Sequence, residues 1–371
     1  MEFEINKDIL LKSISRANGI IEKKTTLPIL SNILIEAKNS KIKITATDLD
    51  IIYSEEIALQ ELKQEGSTTT SATILYDVLR KLEPNAQVSF SQQSTTKLKL
   101  ISGNSKFNLL CLTPDNFPLA DEDIKKTTFD VPSPKLLKLL NKAKISISND
   151  ETRHYLNGIY LHKVNFDNKL LLTGVATDSH RLSSSSIEID PKADFEPIIL
   201  PKKTIFQLIS LLDQNSGNIK ISNNKSKVKF EIDSSVLISK VIDGRFPDYT
   251  KVVPKNNDKT LQIKLNDFKN SIERVTTVSA DRKEGLKMDI SKDSLQLSVS
   301  SPNSGDGIEN INVKFSSENM NISFNSKYLI DITSEIENDQ IVIYLKDAGS
   351  PVLIKDLSDK NSFHVVMPMK I

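Results

Sequence analysis

At 371 residues and 38% hydrophobic content, the chain is too long for one ordinary core and suits two or three domains of roughly 100–200 residues. Its 49 Lys and Arg against 48 Asp and Glu leave a net charge of +1, which excludes a basic footprint over the whole surface, so any nucleic-acid-facing charge has to be segregated locally. One cysteine, Cys111, excludes an internal disulfide framework; no run of about 18 apolar residues offers a membrane span; and the acids of Met1-Glu2-Phe3-Glu4-Ile5 do not suit a secretory leader, so a reducing, cytoplasmic setting is expected.

In chain order, Phe3-Glu4-Ile5 reads as a short extended stretch feeding a helix whose apolar residues, Leu10, Leu11 and Ile14, fall at i, i+1 and i+4. Residues 30–35 and 41–44 then alternate as strands, the second running into Ala46-Thr47-Asp48. A second helix is predicted over 71–82, with alternating strands at 88–90 and 97–101. Acids and lysines at 121–127 mark a linker.

The pattern then starts again. Phe129-Asp130-Val131 precedes Leu136, Leu137 and Leu140; residues 156–161 and 170–173 repeat the strands; and the second strand again runs into Ala176-Thr177-Asp178. A helix over 201–212 and strands at 219–221 and 228–232 complete the second unit, with a linker near 255–259. The third copy has Leu261-Gln262-Ile263 before Phe268 and Ile272, strands at 285–288 and 295–299, a helix over 325–336, and strands at 341–345 and 352–354. Each third therefore reads as two copies of one half-motif, a helix with a few antiparallel strands, and the class is α+β. Half-motifs in series curve, because each junction repeats a similar rotation, and they close into a ring where that rotation permits.

Charge gathers on the helices. Lys7, Lys12 and Arg16 lie on the first and Arg80 on the second; Lys135, Lys138, Lys142 and Lys144 lie on the third, and Lys202 and Lys203 on the fourth; Lys269, Arg274 and Lys327 follow in the last unit. For any single helix this is an ordinary solvated face. Across most helices of a neutral chain, it suits sequence-independent phosphate contacts.

Several segments, spread over the whole chain, resemble the DNA polymerase III beta subunit, the bacterial sliding clamp. They are Leu27-Pro28-Ile29-Leu30-Ser31-Asn32, Tyr155-Leu156-Asn157-Gly158, Ala176-Thr177-Asp178-Ser179-His180-Arg181-Leu182, Asp243-Gly244-Arg245-Phe246-Pro247-Asp248-Tyr249 and the terminal Val365-Val366-Met367-Pro368-Met369-Lys370-Ile371. The resemblance implies three clamp-type domains, at 1–126, 127–257 and 258–371, each with two helices on antiparallel sheets. It also implies a ring-shaped homodimer around duplex DNA, an ATP-driven clamp loader, and tethering of the replicative polymerase and other proteins that carry clamp-binding peptides. Partner peptides would dock where Leu156, Thr177, His180, Arg181 and Leu182 meet Pro247 and Val252, with Val366, Met367, Pro368 and Met369 as a further wall. The dimer junction would use Phe107 and Leu109 against Thr277 and Val278, and Lys24, His154 and Tyr155 would touch DNA. Ser179 stands where the family usually has Gly, and Lys251 and Lys370-Ile371 replace frequent Arg and Arg-Leu.

The residues support the groove independently, since a Met-containing apolar cleft adapts to varied short motifs. Catalytic readings are weaker. Asp178-Ser179-His180 are adjacent in sequence and point apart, where a triad must converge. The histidines His154, His162, His180 and His364 show no ligand spacing, and no phosphate-binding glycine loop occurs, so neither metal nor cofactor is expected. The competing class is a soluble repeat scaffold that binds proteins but not DNA.

Overall fold

The computed structural model describes residues 1–22, 26–119, 124, 128–213, 215–279 and 285–370. Six α-helices occur among them: α1 (Lys7–Asn18), α2 (Ala72–Lys81), α3 (Ser133–Lys144), α4 (Lys202–Leu212), α5 (Leu265–Val275) and α6 (Ser326–Thr333). The starts of several are set by side chains that satisfy otherwise unpaired amides. Asn6 Oδ1 accepts from Asp8 and Ile9, Ser71 Oγ from Ile74, and Asn325 Oδ1 from Lys327. Leu10, Ile14 and Ala17 bury one stripe of α1, as Phe268, Ile272 and Val275 do for α5.

Every half-motif is a strand, a helix and three further strands. The third strand was not legible in the hydropathy: it is Ile51–Ala58, Ser105–Leu110, Arg181–Glu188, Ser235–Lys240, Gly305–Phe315 or Ser362–Val366. In Arg181–Glu188 the consecutive Ser183, Ser184 and Ser185 are all buried, so both faces of the strand are covered and polar residues hold interior positions. Ser183 is satisfied there by Ser146 Oγ at 2.7 Å and His364 Nδ1 at 2.8 Å. The last helix is shorter than the 325–336 expected, and Lys259 already begins a strand, Lys259–Lys264.

The chain forms two compact units: Met1–Pro134 with Lys192–Glu196 and Lys203–Val241, and Lys135–Pro191 with Pro197–Lys202 and Ile242–Ile371. The first unit holds a five-stranded sheet and an eight-stranded sheet. In the larger one, Ser235–Lys240 pairs antiparallel with Ile51–Ala58, joining one half-motif to another. The second unit holds a twelve-stranded sheet in which Arg181–Glu188 pairs with Ser362–Val366 in the same manner. Ser105–Leu110 is an edge strand of the five-stranded sheet, and residues 305–312 pair on one side only, with Ser294–Ser301.

Candidate functional site: an apolar groove on the second unit

A tight hairpin at 177–181 makes one wall of the groove. Thr177 Oγ1 donates to the Arg181 carbonyl at 2.7 Å and accepts from the Ser179 amide at 3.2 Å. Asp178 Oδ1 accepts from the amides of His180 and Arg181, both at 2.9 Å. Ser179 takes the left-handed conformation (φ 78°) that the turn demands, and its hydroxyl accepts from Arg153 Nη1 at 2.6 Å. Arg181 is a fixed wall and not a free cation. It bonds to Asp178 at 3.1 Å and Asp331 at 2.7 Å, and its guanidinium lies 4.3 Å from the centre of the Tyr328 ring. Leu182 sits opposite Val365 on the neighbouring strand, and the Met367 amide donates to the His180 carbonyl at 2.8 Å.

The facing wall is positioned by stacked rings. Phe246 is buried against Tyr160 (4.9 Å between centres, 8° between planes), Tyr160 stacks on His162 (4.5 Å, 15°), and His162 Nε2 lies 3.0 Å from the Tyr249 hydroxyl. Burial lowers the pKa of His162 and raises that of Tyr249, so both stay neutral near pH 7. Two glycines of the recognised motifs are sterically required. A Cβ on Gly158 would lie 2.2 Å from the Leu200 carbonyl oxygen, and one on Gly244 (φ +155°) would lie 3.0 Å from Tyr155 Cβ.

Between these walls lies a cavity of about 240 Å³. Of the expected groove residues, Thr177, His180, Arg181, Leu182, Pro247, Val252 and Met367 line it. Ser179, Asp248, Tyr249 and Val365 line it too, all within the segments that carry the family resemblance. Leu156 and Val366 are buried beside it: Leu156 clusters with Leu182 and Val365, which line the cavity, and Val366 packs with Val352 and Ile354. Pro368 and Met369 follow Met367 beyond the cavity's lining; the Met369 amide donates to the Ser323 carbonyl at 2.7 Å, and the Met369 side chain is exposed. Val252 and Met367 are 53% and 42% exposed, which leaves apolar surface at the mouth where a ligand's side chains would enter.

Three family models cover nearly the whole chain: the N-terminal domain of the DNA polymerase III beta subunit matches residues 1–121, its central domain 130–248, and its C-terminal domain 250–370. The chain belongs to the DNA polymerase III beta subunit family. It is 34% identical over 373 residues to the beta sliding clamp of Caulobacter vibrioides and 28% identical over 371 residues to that of Escherichia coli, with 100% of each chain covered in both cases. Among solved structures, the sliding clamp of Bartonella birtlesii bound to griselimycin is 35% identical, with a TM-score of 0.95 and 100% of both chains covered. The Caulobacter crescentus beta sliding clamp crystallised with polyethylene glycol is 33% identical, with a TM-score of 0.95, covering 100% of this chain and 99% of that one.

The cations that beta-subunit resemblance and helix charge assigned to DNA differ in their freedom. Lys12 on α1 and Lys327 on α6 are exposed. Lys202 is exposed and donates to Asn149 Oδ1 at 2.6 Å, and Arg80 is exposed beside Asp77 at 3.4 Å. Others are engaged by carboxylates: Arg16 by Glu55, Lys138 by Glu337 and Asp359, Lys203 by Asp48 and Glu22, and Arg274 by Glu309. His154 is exposed with Nε2 3.1 Å from the Asp243 carbonyl, and Tyr155 is half-buried beside it. Lys24 lies outside the described residues. Lys142 is a correction: its side chain is 2% exposed and sits 2.9 Å from Asp359 and 3.6 Å from Asp356, because the apolar face of α3 carries it into the interior.

The expected dimer residues divide similarly. Phe107 is half-buried, Thr277 is exposed, and Val278 is half-buried in the turn Thr276–Val278. Leu109 is a correction, being 6% exposed in its own core; strand alternation instead turns Leu110, 77% exposed, outward. The triad reading has no geometric support, since Asp178 serves main-chain amides and Arg181 while the Ser179 hydroxyl serves Arg153. Among the described residues no group of three or more His, Cys, Asp or Glu could hold a metal, and no helix is long and apolar enough to cross a membrane.

Proposed function

We propose that this chain is a polymerase processivity clamp: two copies close head to tail around duplex DNA and hold partner proteins there by peptides seated in the groove. The clamp itself is non-catalytic, works in the cytoplasm, and is placed on DNA by a loader. Its three domains are 1–126, 127–257 and 258–371, and exposed helix cations such as Lys12, Lys202 and Lys327 face the duplex through salt-sensitive phosphate contacts.

One observation carries the closure. Third strands of half-motifs pair with each other twice within the chain, and two such strands, Ser105–Leu110 and the 305–312 portion of Gly305–Phe315, have an edge without a strand partner among the described residues. Leu110 and Ile308 are 77% and 60% exposed on those strands. Unpaired edges with apolar side chains are natural sites for strand addition, and a pair of different edges gives a head-to-tail contact. The edge of one copy joined to the other edge of a second repeats the junction already used twice.

The test is retention of loader-assembled protein on nicked circular DNA, before and after linearisation, at moderate salt. Retention on circles with loss from open ends is expected of a closed ring. Equal retention on both would mean ordinary electrostatic binding, and none on either would favour a protein-binding scaffold.

A further inference from the structure

The apolar groove does not stop at its own walls. Val252 and Met367 also line a second hollow of about 570 Å³, formed by residues 250–257 and the turn at 346–351. Its lining includes Lys251, Lys255 and Lys346 and no acidic residue. The two segments are tied together, since Asn257 Nδ2 donates to the carbonyls of Tyr344 at 2.8 Å and Pro351 at 3.0 Å.

Nearby carboxylates offset this charge only in part, Asp347 acting on Lys346 and Asp248 on Lys251. Asp347 turns its oxygens onto its own loop, accepting from the amides of Gly349 at 2.9 Å and Ser350 at 2.7 Å and from the Ser350 hydroxyl at 2.8 Å. Asp258 lies 3.6 Å from Lys259, and Asp248 lies 3.4 Å from Lys251, whose side chain is still 79% exposed. Lys255 and Lys346 are exposed and have no carboxylate within ion-pair distance among the described residues. The result is an apolar cavity continuing into a positive one.

We propose that a partner peptide anchored in the apolar groove runs on past Val252 and Met367, and that the lysine-lined hollow takes acidic residues flanking its apolar anchor. This rests on the groove reading above and adds the chemical class of the flanking sequence. Complementary charge at such a rim raises the encounter rate and selects among partners more than it adds affinity, so the effect should be moderate and screened by salt.

The experiment uses the full chain and three synthetic peptides: one with a pair of large apolar residues as anchor in neutral surroundings, and two with three glutamates placed before or after that anchor. Binding is read by fluorescence anisotropy at low and high salt. One acidic peptide should bind the native chain about three- to tenfold more tightly than the neutral one at low salt, with the gain fading at high salt. Lys255→Glu with Lys346→Glu should remove that gain while leaving the neutral peptide's affinity unchanged. An absent gain, or one that survives the charge reversal, overturns the proposal alone. Failure of the neutral peptide to bind would overturn the groove reading and this proposal with it.

Discussion

The Met367 amide donates to the His180 carbonyl at 2.8 Å, and the Lys240 amide donates to the Asp50 carbonyl at the same distance. These are the same bond in two copies of one junction. The hairpins leading into them match as well: the Thr47 and Thr177 hydroxyls donate four residues ahead at 2.8 and 2.7 Å, and Leu49 and Ser179 sit at φ 77° and 78°. The side chains differ. Lys240 Nζ pairs with Asp50 at 3.0 Å, whereas Met367 beside His180 leaves apolar surface.

One backbone element thus serves two purposes, and a partner peptide should bind once per chain. Titration calorimetry with a peptide carrying a large apolar anchor is expected to give one site per chain. Met367→Ala should weaken it by up to about tenfold, because this removes apolar surface at the groove's mouth. Asp50→His with Lys240→Met should leave that affinity unchanged, and a second site in the native chain would contradict the asymmetry.

The exposed edges make a separate prediction. Leu110→Lys or Ile308→Lys places a charge on the strand proposed to pair with a second copy, where burying it would be costly. Sedimentation velocity should show the native chain as a dimer and either variant largely as monomer. Both side chains lie in solvent in the single chain, so the melting of the monomer should shift by no more than about 0.5 kcal/mol. Variants that remain dimeric would move the interface elsewhere.

Much of the fold was legible because the first strands and helices of the half-motifs obey clean periods, as with Phe3 and Ile5 before Leu10 and Ile14. The third strands were not, because Ser183, Ser184 and Ser185 put polar side chains at buried positions, Ser183 being satisfied there by Ser146 and His364. That cost the reading of the junctions. At the groove, the hairpin and the Met367 wall could be placed from motifs. The inward turn of Val366 and Leu156 could not, since a motif fixes residue identity without fixing which side of a strand faces the core. Lys142 misled for the same reason: its partners Asp356 and Asp359 lie more than two hundred residues away in sequence.

Lys142 and Lys12 should accordingly behave as opposites. Lys142→Ala removes the buried cation from Asp356 and Asp359, which keep other donors, and should cost up to about 3 kcal/mol of stability, read as a drop in the thermal midpoint. Lys12→Ala should leave the midpoint within the range of an ordinary surface change, yet reduce the slope of log affinity for DNA against log salt by about one. A Lys142→Ala protein with native stability would show that its ion pairs contribute nothing.

Acid should weaken the second unit before Asp356 and Asp359 protonate. His364 is fully enclosed beside Ser183, and burial, reinforced by the Lys142 charge, lowers its pKa to about 3. In the unfolded chain the same ring takes a proton near pH ~6.5. The unfolded state therefore binds more protons between these values, so the stabilisation is complete above about pH 6.5 and declines as pH falls towards 3, by up to ~1.4 kcal/mol per pH unit. His162, also lowered by burial, adds a decline of the same sign. Asp356 and Asp359 are held low as well: burial opposes this, but hydrogen bonds outweigh it, from Ser358 to Asp356 and from Lys142 to Asp359. Their contribution is lost only below about pH 4. His364→Gln removes one of these protonation sites, so its thermal midpoint should fall less steeply between pH 6.5 and 4.5 than that of the native chain. Parallel curves would mean that His364 is not kept neutral by burial, and the acid sensitivity would have to come from His162.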